Sequence, residues 1–429
     1  MRTRAPNDMN NIVSVSWGDH LSFGEGDGRL DTPEKLRRRL PVWRDELGAR
    51  SVHWRMLRSR IAGRYSAAPG YRHPSDTAAK TLNWDDFVMV PAMAREEGLS
   101  PWLYVTVWDE GWPLAPDDVR RISYHNEMHG QHVAWQSDLT RDHPEWLVVD
   151  RTGNHQQGVV SLSYPEARRA FIDRWIRLVE PTTFDGLFLC LRSQSRPADS
   201  GDQFGFNDPA RRDFLDRYGV DVTREPCDAQ AWRDMLGSYV TALVSELRVA
   251  LDRAGKKLAI GCARGDVVGP PLGNMTLPWR EWVRLNLVDR LVIDQNSSQC
   301  PSMWHQLWPM HRGTGYVQNY LDGTGLPHLV EHVTTTYSPL VAESNTELFV
   351  ARQWSERSSD VEACLSETPG VTGLVFGSFR HDNPAAARRN EWRAGKIANQ
   401  PRAINNNPAD NTASAHSTQP TSLARPTTA

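Results

Sequence analysis

Two aspartates in this sequence follow short apolar runs, in positions where carboxyl groups can do acid–base chemistry. Asp266 comes shortly after the apolar run 257–262, and Asp294 ends the run 290–294. Glycoside hydrolysis needs such a pair, because one carboxylic acid protonates the leaving oxygen while a second carboxylate acts as base or nucleophile. We therefore predict that Asp266 and Asp294 are the catalytic pair. Two further carboxylates near predicted strand ends are reserve candidates, Asp202 and Glu110.

Tryptophan and polar side chains near other strand ends could bind a sugar. The chain holds 17 Trp against 10 Tyr and 11 Phe, and a flat indole suits amphipathic clefts as well as cores. Several Arg in this set suggest an acidic sugar, since a guanidinium binds a carboxylate through two parallel hydrogen bonds. The predicted substrate-binding residues are Trp17, Asp19, Trp108, Asp109, Arg192, Arg264, Gln295, Gln353, Trp354, Arg380 and His381.

Three histidines lie close together in one segment, His125, His129 and His132. The segment is not an HExxH motif, because Glu127 stands two residues after the first histidine instead of one. We predict no metal and no cofactor. A metal-dependent hydrolase that uses these histidines is kept as a further alternative.

The elements that must position these residues alternate between strands and helices. Thr32 and Pro33 provide an N-cap and a first helical residue, and further helices are predicted at 85–97, 164–179, 229–254, 278–286 and 358–367. Segments 108–160 and 295–345 are predicted as long loops. Eight strands alternating with helices predict an α/β fold, a (β/α)8 TIM barrel whose site lies at the carboxyl ends of the strands. The predicted strands are 11–17, 51–56, 101–107, 184–191, 257–262, 290–294, 347–351 and 371–376.

The barrel is predicted to occupy residues 11–398, between a disordered start at 1–10 and a disordered tail at 399–429. The last thirty residues contain one Ile, one Leu and no aromatic residue. Such a composition cannot bury enough apolar surface to order the chain.

Composition excludes several classes of protein. The 429 residues include 49 basic and 52 acidic side chains, a net charge of −3, which argues against a simple basic nucleic-acid binder. No apolar run approaches the ~18 residues of a membrane span, and the start lacks the apolar segment of a signal peptide. The five Cys form no CxxC pair. We predict a cytoplasmic protein that binds carbohydrate and neither nucleic acid nor membrane; its oligomeric state is left open.

Several segments, taken in order, resemble the bacterial glycosyl-hydrolase-like family 10 barrels. They are HPEW at 143–146, LSYPEAR at 162–168, FDGLFL at 184–189, DQFGFN at 202–207, RGD at 264–266 and GSFRHDN at 377–383. The resemblance covers roughly residues 10–395 and implies a TIM barrel that hydrolyses glycosidic bonds. Related barrels often carry Glu after strands four and seven, where this chain has Arg192-Ser193 and Gln353-Trp354. That departure motivates an alternative, a non-catalytic carbohydrate-binding barrel.

Overall fold

In the computed structural model of the protein, eight parallel strands hydrogen bond side by side and close into a barrel. This confirms the predicted (β/α)8 TIM barrel. Each observed strand overlaps its predicted counterpart. In chain order, which is also the order around the barrel, the strands are β1 (Asn11–Val15), β2 (Ala49–Arg55), β3 (Ser100–Trp108), β4 (Gly186–Ser193), β5 (Lys257–Gly261), β6 (Arg290–Ile293), β7 (Glu347–Arg352) and β8 (Val371–Gly377).

The structure describes residues 8–15, 30, 32–55, 84–108, 110–112, 135–193, 202–268, 275–295, 327–352 and 358–377. They belong to the first of two compact units, residues 1–387, and the second unit, 388–429, lies outside the described residues. Of the predicted N-terminal start, Met9 is buried in the core.

Helices surround the barrel and pack their apolar faces on the outward side of the strands. Several begin at side-chain caps, as N-cap chemistry requires: Thr32 accepts from the Lys35 N–H, and Asp228 accepts from the Gln230 N–H. The main helices are α1 (Pro33–Glu46), α2 (Asp86–Glu96), α3 (Pro165–Val179), α4 (Asp208–Tyr218), α5 (Ala229–Arg253), α6 (Trp279–Arg284), α7 (Leu329–His332, continuing as the π-helical turn Val333–Tyr337 and the helix Ser338–Ala342) and α8 (Ser359–Glu367).

Three segments that lie between the predicted strands and helices contain regular structure. In 108–160 the structure has a short helix, Asp138–Asp142, and an antiparallel pair, Leu147–Val149 with His155–Val160. Helices α4 and α7 also lie where loops were predicted. Helix α4 was not predicted, because only two of its residues, Ala210 and Phe214, are buried. Two apolar positions are too few to show a helical periodicity in the sequence.

Inside the barrel, the end nearest the amino termini of the strands is closed by an ionic and aromatic layer. Arg290 Nε donates to Glu347 Oε2 at 2.8 Å, and its guanidinium lies 4.3 Å from the centre of the Trp102 ring. His53 is fully buried in the interior and stacks on Phe188 with ring centres 4.1 Å apart. This end is therefore filled, which leaves the opposite end of the barrel for a site.

The start of β4 requires glycine. A Cβ on Gly186 would lie 2.4 Å from the Lys257 carbonyl oxygen and 2.7 Å from the Trp102 ring. The absent side chain lets β4 approach β5 at the closed end of the barrel.

No helix in the described part of the chain is long and apolar enough to cross a membrane.

Candidate active site

Three neighbouring strands bring charged side chains to the carboxyl end of the barrel. Arg264 follows β5, Asp294 follows β6 directly, and Arg352 ends β7. All three are buried, with Arg264 at 0% and Asp294 at 1% exposure. Asp294 has a φ of 60°, a left-handed conformation that is strained for a residue other than glycine and recurs at functional sites. We call Arg264, Asp294 and Arg352 the basic–acidic cluster.

Burial governs the ionisation of Asp294. Removal from water raises the pKa of its carboxyl group, and the positive charges of Arg264 and Arg352 oppose that rise without cancelling it. Arg264 Nε lies 3.5 Å from Asp294 Oδ1, which is longer than a good N–H···O hydrogen bond. A carboxyl group with a raised pKa can carry a proton at a pH where ordinary carboxyls are ionised.

On its other side, Arg264 contacts α7 and Pro327, two residues before that helix. Its Nη1 donates to the Pro327 carbonyl oxygen at 2.6 Å and lies 3.1 Å from His332 Nδ1. Burial, and then the charge of Arg264, lower the pKa of His332 to about 4. The imidazole is therefore neutral at pH 7. Because an arginine only donates, Nδ1 must be the acceptor and Nε2 must carry the hydrogen.

The π-helical turn of α7 fixes the chain beside Arg264. Tyr337, at the end of this turn, accepts a hydrogen bond from the Gly265 N–H at its hydroxyl, at 2.8 Å. Its ring stacks on Trp279 with centres 4.2 Å apart. π-Helical turns are rare and often occur at functional sites. Here the turn packs His332 and Tyr337 against the segment that carries Arg264.

Asp266 lies close to this cluster, but its carboxylate contacts residues of α6 instead of the cluster. Its Oδ1 accepts a hydrogen bond from Trp279 Nε1 at 3.0 Å and forms an ion pair with Arg280. The side chain is 60% exposed. Its charge raises the pKa of His332, which places it near the same residues. The predicted pairing of Asp266 with Asp294 stays a prediction, with one carboxyl group buried and the other exposed.

The two reserve carboxylates form ion pairs with helix arginines. Both oxygens of Glu110 lie 3.0 Å from Arg174 Nη1 on α3, and Glu110 is 1% exposed. Asp202 binds Arg233 of α5 through two hydrogen bonds of 2.9 and 2.7 Å. These contacts tie loops to helices.

The predicted substrate-binding residues that the structure describes are mostly interior. Trp108 has no exposed surface, Arg264 belongs to the basic–acidic cluster, and Gln295 is 7% exposed. Arg192 lies in β4, and its side chain is outside what is described. The remaining predicted residues, and the histidines of the proposed metal site, lie outside the described residues: Trp17, Asp19, Asp109, Gln353, Trp354, Arg380, His381, His125, His129 and His132.

The predicted site leaves out four residues that the structure places near this end of the barrel, although Arg55 and Arg352 stand at predicted strand ends. Arg352 ends a predicted strand and could have been chosen for that reason. Arg55 ends β2, lies 4.6 Å from the centre of the Tyr104 ring and is 6% exposed. His332 and Tyr337 belong to a segment predicted as a loop, because the stretch His332–Tyr337 (HVTTTY) has no helical apolar period.

No family model matches the chain, and no curated protein matches it. Among solved structures, it is similar to the catalytic domain of β-amylase from Paenibacillus polymyxa, with a TM-score of 0.50, 11% identity, and coverage of 92% of this chain and 99% of that one. It is less similar to the α-galactosidase AgaA from Geobacillus stearothermophilus, with a TM-score of 0.42 and 12% identity over 90% of this chain and 42% of that one. A chitinase catalytic domain from Ostrinia furnacalis gives a TM-score of 0.31 and 14% identity over 68% and 51% of the two chains.

At these identities the similarity shows the fold alone, a TIM barrel. The chain spans 42% of the α-galactosidase chain. The resemblance to glycosyl-hydrolase-like family 10 therefore stays a prediction.

Proposed function

We propose that this protein is a glycoside hydrolase and that Asp294 is the acid that protonates the leaving oxygen. The observation that carries the proposal is the state of this carboxyl group. It lies at the carboxyl end of a barrel strand, is buried, has a left-handed backbone, and its pKa is raised by burial. A TIM barrel places its active site at this end of the strands, and a β-amylase catalytic domain shares the fold.

The first chemical step follows from the proton on Asp294. As the bond from the anomeric carbon to the leaving oxygen breaks, the Asp294 carboxyl donates its proton to that oxygen and becomes a carboxylate. Arg264 and Arg352 then stabilise the new negative charge, because both guanidinium groups favour the ionised form of Asp294. The leaving group departs as a neutral alcohol.

The second carboxylate attacks the anomeric carbon or activates a water, and Asp266 is our candidate for it. Its side chain is exposed to solvent, as a group that meets water or an incoming sugar must be. The carboxyl separation would decide the outcome: about 5–5.5 Å for retention of configuration and about 6.5–9.5 Å for inversion. Asp202 and Glu110 are weaker candidates, because both oxygens of each carboxylate are hydrogen bonded to a helix arginine.

The test is release of reducing ends from a broad panel of neutral and acidic oligo- and polysaccharides. Wild type should cleave at least one, and Asp294→Asn should lose that activity. Asp216→Asn, on the exposed face of α4, is the matched control and should match wild type. Full activity in Asp294→Asn would remove Asp294 from the mechanism.

A second candidate function, a carbohydrate-binding barrel without hydrolysis, is favoured by one observation. All four predicted catalytic carboxylates lie within ion-pair distance of an arginine: Asp266 with Arg280, Asp202 with Arg233, Glu110 with Arg174 and Asp294 with Arg264. Calorimetric binding of a glycan that wild type leaves uncleaved would support this candidate. Cleavage of the bound glycan would exclude it.

A further inference from the structure

One edge of the Arg264 guanidinium lacks a partner in the described part of the chain. The hydrogen bonds of this side chain leave from Nη1, toward Pro327 and His332. Within the described residues, Nε and Nη2 are buried without a hydrogen-bond partner, and so is Oδ1 of the neighbouring Asp294. Buried donors without acceptors are rare in native proteins.

The Nε–Nη2 edge of a guanidinium has a specific complement. Its two N–H groups are parallel and match the two oxygens of a carboxylate, in a charge-assisted bidentate pair. Asp294 does not supply this pair, because its Oδ1 lies 3.5 Å from Nε and neither Nε nor Nη2 has a hydrogen-bond partner among the described residues. The edge therefore fits a second carboxylate, beside Asp294.

Charge balance favours the same ligand. When Asp294 carries the proton that the proposed function assigns to it, it no longer balances Arg264. His332 is neutral at pH 7, the exposed Asp266 forms its ion pair with Arg280, and Glu362 lies 4.0 Å from the Arg352 guanidinium. A buried guanidinium without a counter-ion is costly, so an anionic ligand at Arg264 is favourable when Asp294 is in its acid form.

We propose that Arg264 binds the carboxylate of a uronic acid residue, and that the substrate is a glycan with a 4-linked hexuronate on the leaving-group side. This inference rests on the proposed function. In such a residue the leaving oxygen is on C4 and the carboxylate is attached to C5, the adjacent carbon. The two groups would thus meet two adjacent protein groups, the Asp294 carboxyl and the Arg264 edge. The substrate carboxylate would also hold the proton on Asp294, because a like charge disfavours ionisation.

The test uses three acidic oligosaccharides, oligogalacturonate, oligoalginate and hyaluronan fragments. Each is compared with its carboxyl-reduced counterpart, which keeps the linkage and exchanges the carboxylate for a hydroxymethyl group. Calorimetry is done on wild type, Arg264→Met, Arg264→Lys and the control Arg217→Met, whose side chain is 51% exposed on α4. Thermal unfolding followed by circular dichroism establishes which variants fold. Arg264→Lys keeps the buried charge but cannot form the two parallel bonds, so it serves if Arg264→Met fails to fold.

We expect wild type and Arg217→Met to bind at least one acidic oligosaccharide about 10- to 100-fold more tightly than its reduced form. The preference should fall to a few-fold in Arg264→Lys and vanish in Arg264→Met. Equal binding of acidic and reduced forms by wild type, no binding of any acidic form, or a preference that survives in a folded Arg264 variant would overturn the proposal. Its failure is distinguishable from failure of the proposed function. If wild type cleaves neutral glycans and shows no preference for acidic ones, only the proposal of uronate binding is rejected. If an Arg264-dependent preference is found but no glycan is cleaved, only the proposal of hydrolysis is rejected.

Discussion

Arg264 Nε lies 3.5 Å from Asp294 Oδ1, and both side chains are buried at the carboxyl end of the barrel. The two residues come from chain segments that follow neighbouring strands, so the barrel itself brings them together. Burial raises the pKa of the Asp294 carboxyl group, which favours its protonated form. When Asp294 gives up the proton, the Arg264 guanidinium is close enough to stabilise the carboxylate. A general acid needs both properties.

The hydrogen bond from Arg264 to His332 should matter for stability. His332→Leu removes the acceptor from Nη1 and leaves only the Pro327 carbonyl, so we expect a loss of about 1–3 kcal/mol in the free energy of unfolding. His332→Gln offers an amide oxygen at a similar position and should recover much of it. Urea denaturation of the two variants measures the difference. Equal stability of His332→Leu and wild type would show that the contact contributes nothing.

The hydrogen bond from the Gly265 N–H to the Tyr337 hydroxyl should contribute to the stability of the fold. Tyr337→Phe keeps the stacking on Trp279 but leaves a buried amide without an acceptor, and we expect about 1–3 kcal/mol of destabilisation. Tyr218→Phe is the matched control, since Tyr218 is half exposed on α4. Thermal melts of both variants give the comparison. A melting temperature for Tyr337→Phe equal to that of the control would contradict the role of the π-helical turn.

How far the sequence predicts this architecture depends on the type of signal. Strands such as Val371–Gly377 consist of apolar, often β-branched residues, so their existence follows from local preference. The sequence also places Arg264 and Asp294 after two adjacent strands. It does not show the left-handed backbone of Asp294 or the contact of His332 with Arg264, because both depend on tertiary packing.

His53 should make stability depend on pH. Burial, and then the charge of Arg290, hold the pKa of the folded-state imidazole well below its ordinary value of 6.5. The unfolded chain then binds the proton more readily, so the contribution of His53 to stability is complete above about pH 6.5 and falls by about 1.4 kcal/mol per pH unit below it, until the folded-state pKa is reached. Urea denaturation between pH 7.5 and 4.5 on wild type and His53→Leu isolates the effect. An identical pH dependence in the two proteins would show that His53 is not responsible.

The buried ion pair of Glu110 with Arg174 should show strong coupling. Arg174→Leu leaves a carboxylate at 2% side-chain exposure without its partner, and we expect a loss of about 3–5 kcal/mol in the free energy of unfolding. The double variant Glu110→Leu, Arg174→Leu should be more stable than Arg174→Leu alone, because no buried charge remains. A double-mutant cycle in urea measures the coupling. Additive effects would mean that the two side chains act independently.

The central claim is that Asp294 protonates the leaving oxygen, and leaving-group dependence tests it most directly. The measurement compares kcat/KM, which reports the bond-breaking step, of wild type and Asp294→Asn on the cleaved natural glycan and on a dinitrophenyl glycoside of the same sugar. A dinitrophenolate departs without a proton. We predict a loss of about 10²–10⁴-fold in kcat/KM on the glycan and a kcat/KM close to wild type on the activated glycoside. An equal loss on both substrates, or no loss on the glycan, would contradict the assignment.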